Sequence, residues 1–334
     1  MKTITMDHGS GGKLTHNLIK NMFFKHMGND ILDRCDDSAK LDMEKGKIAF
    51  TTDSFVIKPL FFPGGDIGKL AICGTVNDLA VSGAIPKYIT CGFILEEGFS
   101  ETELEKIVGS MGKWAKHANV KIVAGDTKVV EKHNADGIFI NTSGIGIIDK
   151  NISLGIDKIK SGNKVIVSGT LGDHGISVLS KREGIKFDTT LESDCAPLNF
   201  MIREMLSYTN GVLFMRDPTR GGLATTLNEI TAESGMGIII EEKTIPVKEE
   251  VRSACELLGM DPLYIANEGK VIIISEAPAA ERIVDLLKIH KLGQDAAVIG
   301  EVTSVNPGKV YLRTKYGGEY IMDMLTGEQL PRIC

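Results

Sequence analysis

Apolar and polar positions along the chain follow two periods, one close to two residues and one close to 3.6. Residues 47 to 57 (KIAFTTDSFVI) and 86 to 95 (PKYITCGFIL) are rich in β-branched and aromatic side chains and predict strands. Residues 64 to 83 between them predict a helix. A clearer helix follows, because Leu104, Ile107, Val108, Met111, Trp114 and Ala115 recur at helical spacing while Glu101, Glu103, Glu105 and Lys106 fill the other face. Ser100 with Glu103 three residues on is a capping box that sets its start. Strands over 120–125 and 137–148 complete a first half of alternating strands and helices. Residues 150 to 163 are polar and read as a linker. The alternation resumes with VIVSG at 165–169, with further strands predicted at 212–215, 237–241, 270–275, 295–299 and 309–313. One intervening helix starts at Ala277-Pro278, a proline suited to a first turn, and places Ile283, Val284, Leu286 and Leu287 on a face.

This pattern predicts two α/β domains, 1–155 and 156–313, joined near residue 155, and a length of 334 residues suits two cores of roughly 150 residues each. The last stretch, 314–334, reads as a mobile tail that contains Gly317, Gly318 and Gly327 and closes on Leu330-Pro331-Arg332-Ile333-Cys334. Composition narrows the function classes. Lys plus Arg number 38 against 44 Asp plus Glu, a net charge of -6 with no dense basic stripe, which argues against nucleic acid as a partner. The first twenty residues contain no apolar stretch of a secretory signal, and no apolar run approaches the length of a membrane span, so no membrane association is expected. Six scattered cysteines with no C-x-x-C pair fit a reducing cytoplasm.

Familiar phosphate loops are missing: GGDIGKL at 64 to 70 has too short a spacing for a P-loop and a Leu where Ser or Thr is needed. What the chain offers is carboxylates in short polar or glycine-containing segments: Asp36-Asp37, Asp53 in TTDS, Asp78 in GTVNDLA, Asp126 in AGDT and Asp217 in RDPTRGG. A single Asp in such a place is more often a turn or cap residue. Five together favour a site for divalent cations, which take oxygen ligands and bridge to substrate phosphates. HGSGGK at 8 to 13 can present backbone N–H groups to an anion with Lys13 adding charge, or can simply be flexible. In RDPTRGGLA, Arg216 and Arg220 either clamp phosphate oxygens at a helix start opened by Gly221-Gly222 or form a plain basic turn. Cys73 and Cys91 lie in apolar contexts and read as packing residues. Cys334, a thiol at the end of a mobile tail, does not.

Taken in order, HGSGGK, DDSA, TTDS, GTVNDLA, GDTK, RDPTRGG, NEG at 267–269 and PRIC resemble the HypE family of hydrogenase maturation proteins, from residue 8 to 334. That family belongs to the superfamily of aminoimidazole ribonucleotide synthetase and selenophosphate synthetase. The resemblance implies a two-domain PurM-like fold in which the N-terminal domains pair into a dimer-spanning β-barrel, so a homodimer. It implies Mg2+ held by Asp37, Asp53, Asp78 and Asp217, and ATP near Gly9, Ser10, Gly11, Gly12, Lys13, Thr52, Asp126 and Thr127. Lys128 and Glu268 would flank the incoming tail, with Glu268 as first candidate for the base. The activity implied is ATP-dependent dehydration of a carbamoyl group on Cys334 to a thiocyanate, the source of cyanide ligands for NiFe hydrogenase. The carbamoyltransferase HypF would load Cys334, and a HypC–HypD complex would accept the cyanide. A superfamily synthetase or kinase acting on a free small molecule, which has no need of a tail cysteine, and a non-catalytic ATP-binding scaffold that uses its tail to dock partners, are the alternatives.

Overall fold

The computed structural model describes residues 2–10, 12–34, 38–41, 46–184, 191–324, 330, 332 and 333. Short helices α1 (Lys13–Leu18) and α2 (Phe24–Met27), joined by a π turn, open the chain. The first domain then contains β1 (Lys47–Phe55), a small hairpin of β2 (Phe61–Phe62) and β3 (Gly65–Asp66), α3 (Ile67–Val81), β4 (Ala84–Glu96), α4 (Glu101–His117), β5 (Lys121–Val130) and β6 (Ile138–Ile148). Its sheet has the order β1-β6-β4-β5, with β4 and β5 parallel and the other pairs antiparallel. The helix start read from Ser100 has its side-chain cap, and α3 has one that the sequence reading did not name. The Ser100 hydroxyl accepts from the Glu103 N–H at 3.4 Å, and Asp66 Oδ1 accepts from the N–H groups of Gly68 and Lys69 at 2.8 and 3.0 Å.

Helix α3 is apolar on nearly every side, and such a helix belongs in the middle of a structure. It lies between the first sheet, α4 and elements of the second domain. The opposite face of that sheet carries apolar side chains with no cover: Ile48 is 60% exposed, Phe50 68% and Ile94 43%.

The second domain follows as β7 (Lys164–Val167), α5 (Asp173–Glu183), α6 (Asn199–Tyr208), β8 (Val212–Arg216), α7 (Gly222–Ser234), β9 (Gly237–Glu241), α8 (Glu249–Leu258), β10 (Ile272–Ser275), α9 (Ala280–Ile289), β11 (Ala297–Thr303), β12 (Val310–Arg313) and β13 (Glu319–Ile321). Its sheet has the order β13-β12-β9-β11-β7-β10-β8, antiparallel except for β12 beside β9. Leu223, Leu227 and Ile230 of α7 pack on one face with Val165, Val167, Ile272 and Ile274; α6 and α9 cover the other against Ile166 and Ile273. No helix among the described residues is long and apolar enough to cross a membrane.

The described residues of the predicted tail pack in two places. Residues 319–321 form β13 against β12, and Met322 continues the anchorage, its carbonyl accepting from Asn228 Nδ2 at 2.8 Å. Farther on, Leu330 and Ile333 are buried in the core shared by both domains. Burying an aliphatic side chain of this size contributes about 1.5–3 kcal/mol before the ordering cost. Arg332 between them is left-handed, with φ +55°, a conformation costing about 1–2 kcal/mol for a residue with a Cβ. It is held by main-chain and side-chain contacts. Its carbonyl accepts from the Lys58 N–H at 3.2 Å and Arg182 Nη2 at 2.7 Å, and its guanidinium pairs with Asp136. Gly327, Pro331 and Cys334 lie outside the described residues.

Candidate functional site

Three of the five acidic segments meet, with Glu268, where the two domains face each other. Thr52 and Asp53 of β1, Asp78 of α3, Asp217 and Arg220 after β8, and Glu268 before β10 line a cavity of about 420 Å³. A neighbouring cavity of about 670 Å³ shares Asp78, Asp217 and Arg220. Such volumes suit a ligand of nucleotide size. Asp53 faces α3, where its Oδ2 accepts from the Thr75 hydroxyl at 3.0 Å; Asp78 Oδ2 accepts from Thr51 at 2.7 Å. The turn into α7 requires glycine, because Gly221 and Gly222 both have positive φ and a Cβ on Gly222 would lie 2.5 Å from the Ile265 carbonyl oxygen. The N-terminus of α7 thus opens beside the cavity. Arg216, for which the sequence leaves a phosphate clamp and a plain basic turn both open, lines the larger cavity and pairs with Glu229 at 3.0 Å and Glu233 at 3.8 Å.

The electrostatics of the cavity are those of crowded carboxyls. Burial, and then the neighbouring Asp78, push Asp53 up to about 6. Burial, Asp78 and Asp53 push Asp217 up to about 7, and burial raises Asp78 against the opposing hydrogen bond from Thr51. A divalent cation would relieve this repulsion, so the donor set fits Mg2+. Among the described residues no three such groups close on one point. Asp37 lies outside the described residues.

A stability trend follows from these shifts. Carboxyls held above their ordinary range favour the folded state when protonated, so their contribution is complete below about pH 4 and is lost as pH rises through 6 and 7. The melting temperature of metal-free protein should therefore fall from pH 5 to pH 8, Mg2+ should restore it mainly at the upper end, and Asp53→Asn should flatten the trend. Thermal scans in chelator and in Mg2+ check this; a rise over that range without metal would refute it.

Glu268 is 4% exposed, and its Oε1 has no hydrogen-bond partner among the described residues. Burial and then the neighbouring Cys195, Asp217, Asp194 and Asp53 raise its carboxyl well above the usual range. Its loop is clamped by residues for which the sequence reading assigned no role. Asp194, between α5 and α6, accepts from the N–H groups of Glu268 and Gly269 at 3.1 and 3.2 Å and from Lys270 Nζ at 3.0 Å. A Cβ on Gly269 would lie 1.9 Å from the Asp194 carbonyl oxygen, which explains the glycine in NEG. Asn77, buried in α3, donates from Nδ2 to the carbonyls of Glu268 and Ala196 at 3.2 and 3.0 Å, and its Oδ1 accepts from the Leu198 N–H at 2.8 Å. The signal for Asn77 was present: an amide inside an otherwise apolar helix must find partners.

The remaining predicted residues gather elsewhere. Gly9 lies against β5, where a Cβ would be 2.6 Å from the Val129 nitrogen. Ser10 and Gly12 precede α1, which Lys13 begins. Asp126 and Thr127 line a small cavity of about 110 Å³ with Thr15, Phe23 and Phe93, and Lys128 is exposed on β5. Strand β5 is three places from β1, about 14 Å at the usual strand spacing. One chain therefore does not bring Lys128 into the cavity that holds Glu268. Gly11 and Cys334 lie outside the described residues.

Residues 35–148 match the N-terminal domain of AIR synthase related proteins and residues 160–313 match their C-terminal domain. The carbamoyl dehydratase HypE of Azotobacter vinelandii is 47% identical over 332 residues, 99% of this chain and 97% of that protein. The chain belongs to the HypE family. A crystal structure of the hydrogenase maturation protein HypE in complex with ATP superposes with a TM-score of 0.96 at 46% identity, covering 99% of this chain and all of that one. A HypE chain in a HypE–HypF complex gives 0.81 at 50% identity, covering 92% of this chain and 99% of that one. The buried Glu268, the carboxylate cavity and the docked tail residues are thus features of a HypE-family protein on the PurM-like fold.

Proposed function

We propose that this chain acts in NiFe hydrogenase maturation as an ATP-dependent carbamoyl dehydratase, converting an S-carbamoyl group on Cys334 to a thiocyanate. The observation that carries this reading is one junction between the domains holding three things: a buried Glu268 whose Oε1 has no hydrogen-bond partner among the described residues, a carboxylate cavity of nucleotide size, and a tail whose Ile333 is buried in the shared core. An amide oxygen is a poor leaving group, so its removal as water requires conversion to a phosphate ester, which ATP supplies. Glu268, poor in hydrogen bonds and raised in pKa, takes an N–H proton as the carbonyl oxygen attacks the γ-phosphoryl group; loss of phosphate and the second N–H proton leaves the S–C≡N group. Mg2+ held by Asp53, Asp78 and Asp217, with Asp37, would neutralise charge on the transferring phosphoryl group. A site walled by two domains also keeps water from the activated group.

HypF is the partner for loading, a reading supported by the HypE–HypF complex of a relative. A HypC–HypD complex is the acceptor of cyanide, and the buried free cysteines suit a cytoplasmic setting. The domains follow the sheets, near 1–155 and 156–321, with a shorter tail than the sequence suggested. Incubation with HypF, carbamoyl phosphate, Mg2+ and ATP should add a carbamoyl group to Cys334 and then remove the mass of one water, read by intact mass. A carbamoyl adduct that persists with ATP would reject the reading.

The division of the motifs between the two edges of one sheet favours a homodimer. The uncovered face bearing Ile48, Phe50 and Ile94 would line a barrel, and closing β1 against β5 of the second subunit would bring the partner subunit's Lys128, with its Asp126 and Gly9 segments, beside Asp53. Lys128 would then stabilise charge on the phosphoryl group from across the dimer. Asp78→Asn and Lys128→Ala should each abolish turnover alone. Mixed and re-equilibrated, they should recover about a quarter of wild-type activity, since half the dimers are mixed and each has one intact site. No recovery in verified mixed dimers would place Lys128 in its own subunit's site.

A further inference from the structure

We propose that His174 is a positioning residue that seats the tail by holding the main-chain carbonyl of Ile333. His174 is fully buried at the start of α5, and burial favours its neutral form. Its Nε2 lies 2.8 Å from the Ile333 carbonyl oxygen and its Nδ1 2.8 Å from the Ser193 hydroxyl. The Cys195 N–H donates to that hydroxyl oxygen at 3.1 Å, while the Ser193 N–H donates to Pro63 O at 2.9 Å and fixes the serine against the first domain. A carbonyl oxygen can only accept, so the proton of the neutral imidazole sits on Nε2, directed at the tail, and Nδ1 accepts from the Ser193 hydroxyl. Phe62 meets the ring edge-to-face at 5.4 Å and limits its rotation.

The choice of atom matters. The Ile333 carbonyl belongs to the peptide unit that continues into Cys334, and a peptide unit is rigid and planar. Holding the oxygen in place therefore orients the plane from which Cys334 departs. The Arg332 carbonyl is held one residue earlier by Lys58 and Arg182, so two consecutive peptide units are fixed through the main chain. A His174 contact to backbone rather than side chain also tolerates any group attached to the Cys334 sulfur, which suits a tail bearing successive adducts. The inference rests on Cys334 as the carrier, but its first test does not.

Full-length protein is exposed briefly to iodoacetamide, and modification of the peptide containing Cys334 is quantified by mass for wild type, His174→Phe and His174→Gln. His174→Phe keeps a ring and loses the donor, so Cys334 should react about tenfold faster, the scale of one buried hydrogen bond. His174→Gln retains a donor and should restore most of the protection. In the HypF-coupled assay His174→Phe should be loaded at least as fast as wild type and dehydrated about tenfold more slowly, whereas a folding fault would lower both. Equal alkylation in all three proteins, or a parallel loss of loading and dehydration, overturns the proposal. Should His174→Phe not fold, Ser193→Ala, which removes the donor to Nδ1, decides: faster alkylation supports the proposal and an unchanged rate rejects it. Altered alkylation with no dehydration in any variant would uphold the seat and reject the proposed reaction.

Discussion

Cys334→Ala should give a folded protein that binds ATP with wild-type affinity and has no maturation activity at all. The expectation is one of complete loss because no other thiol can substitute. Cys73, Cys91, Cys195 and Cys255 are buried, and burial pushes Cys91 up to about 12 and Cys255 up to about 11. Cys195 is raised still more clearly, by its contact with Cys73 and by burial. Carbamoyl transfer requires a thiol with access to a partner enzyme, and these four buried groups have none. Cys35 lies outside the described residues, so the control is a Cys35→Ala variant, which should retain activity. Circular dichroism, nucleotide titration and hydrogenase activity in a host lacking the native protein check the three parts. Residual maturation by Cys334→Ala would falsify the carrier role.

Glu268→Gln should bind MgATP, accept the carbamoyl group and stop there, with turnover lower by a factor on the order of 10²–10⁴, the usual size of a general-base contribution. The side chain keeps its volume, and the clamps on its loop act through the backbone of Glu268 and Gly269, so the substitution leaves them intact. It also removes a buried acid that would otherwise have to ionise beside Asp53, Asp194 and Asp217 as pH rises, and the variant should be at least as thermostable as wild type. For the natural residue, activity should rise with pH as Glu268 loses its proton, and that limb should vanish in the residual activity of the glutamine variant. Single-turnover assays across pH provide the measurement. A variant within threefold of wild type, or one that binds no nucleotide, would show the base to be elsewhere.

Much of the fold was legible because local chemistry and tertiary structure agree. The Ser100 cap, the stripe from Leu104 to Ala115 and the β-branched runs of β1 and β9 lie where periodicity places them. The acidic motifs were legible as a group because carboxylates beside apolar runs need a reason. What stayed hidden depends on pairs distant in sequence. Asp194 and Lys270 are 76 residues apart and neither signals that the other neutralises it. His174 reads as an ordinary helix-start residue until Ile333, 159 residues later, is placed against it. Lys128 was grouped with Glu268 by motif alone, and the strand order separates them within one chain. The tail was only partly legible because glycines at 317 and 318 describe a hairpin turn as well as they describe flexibility: Gly317 has φ +86° between β12 and β13.

The anchorage of β13 sets a leash. Thirteen residues, 322 to 334, follow Ile321, and at full extension they reach about 45 Å. A group carried on Cys334 would be confined to a small volume around its own protein, since the chain length alone bounds how far it can travel. The dehydration step then has no concentration dependence on its acyl substrate, and its rate is set by seating alone. The same leash bounds the assembly: any enzyme that loads or empties Cys334 must bring its own reactive atoms within that radius of the second sheet's edge.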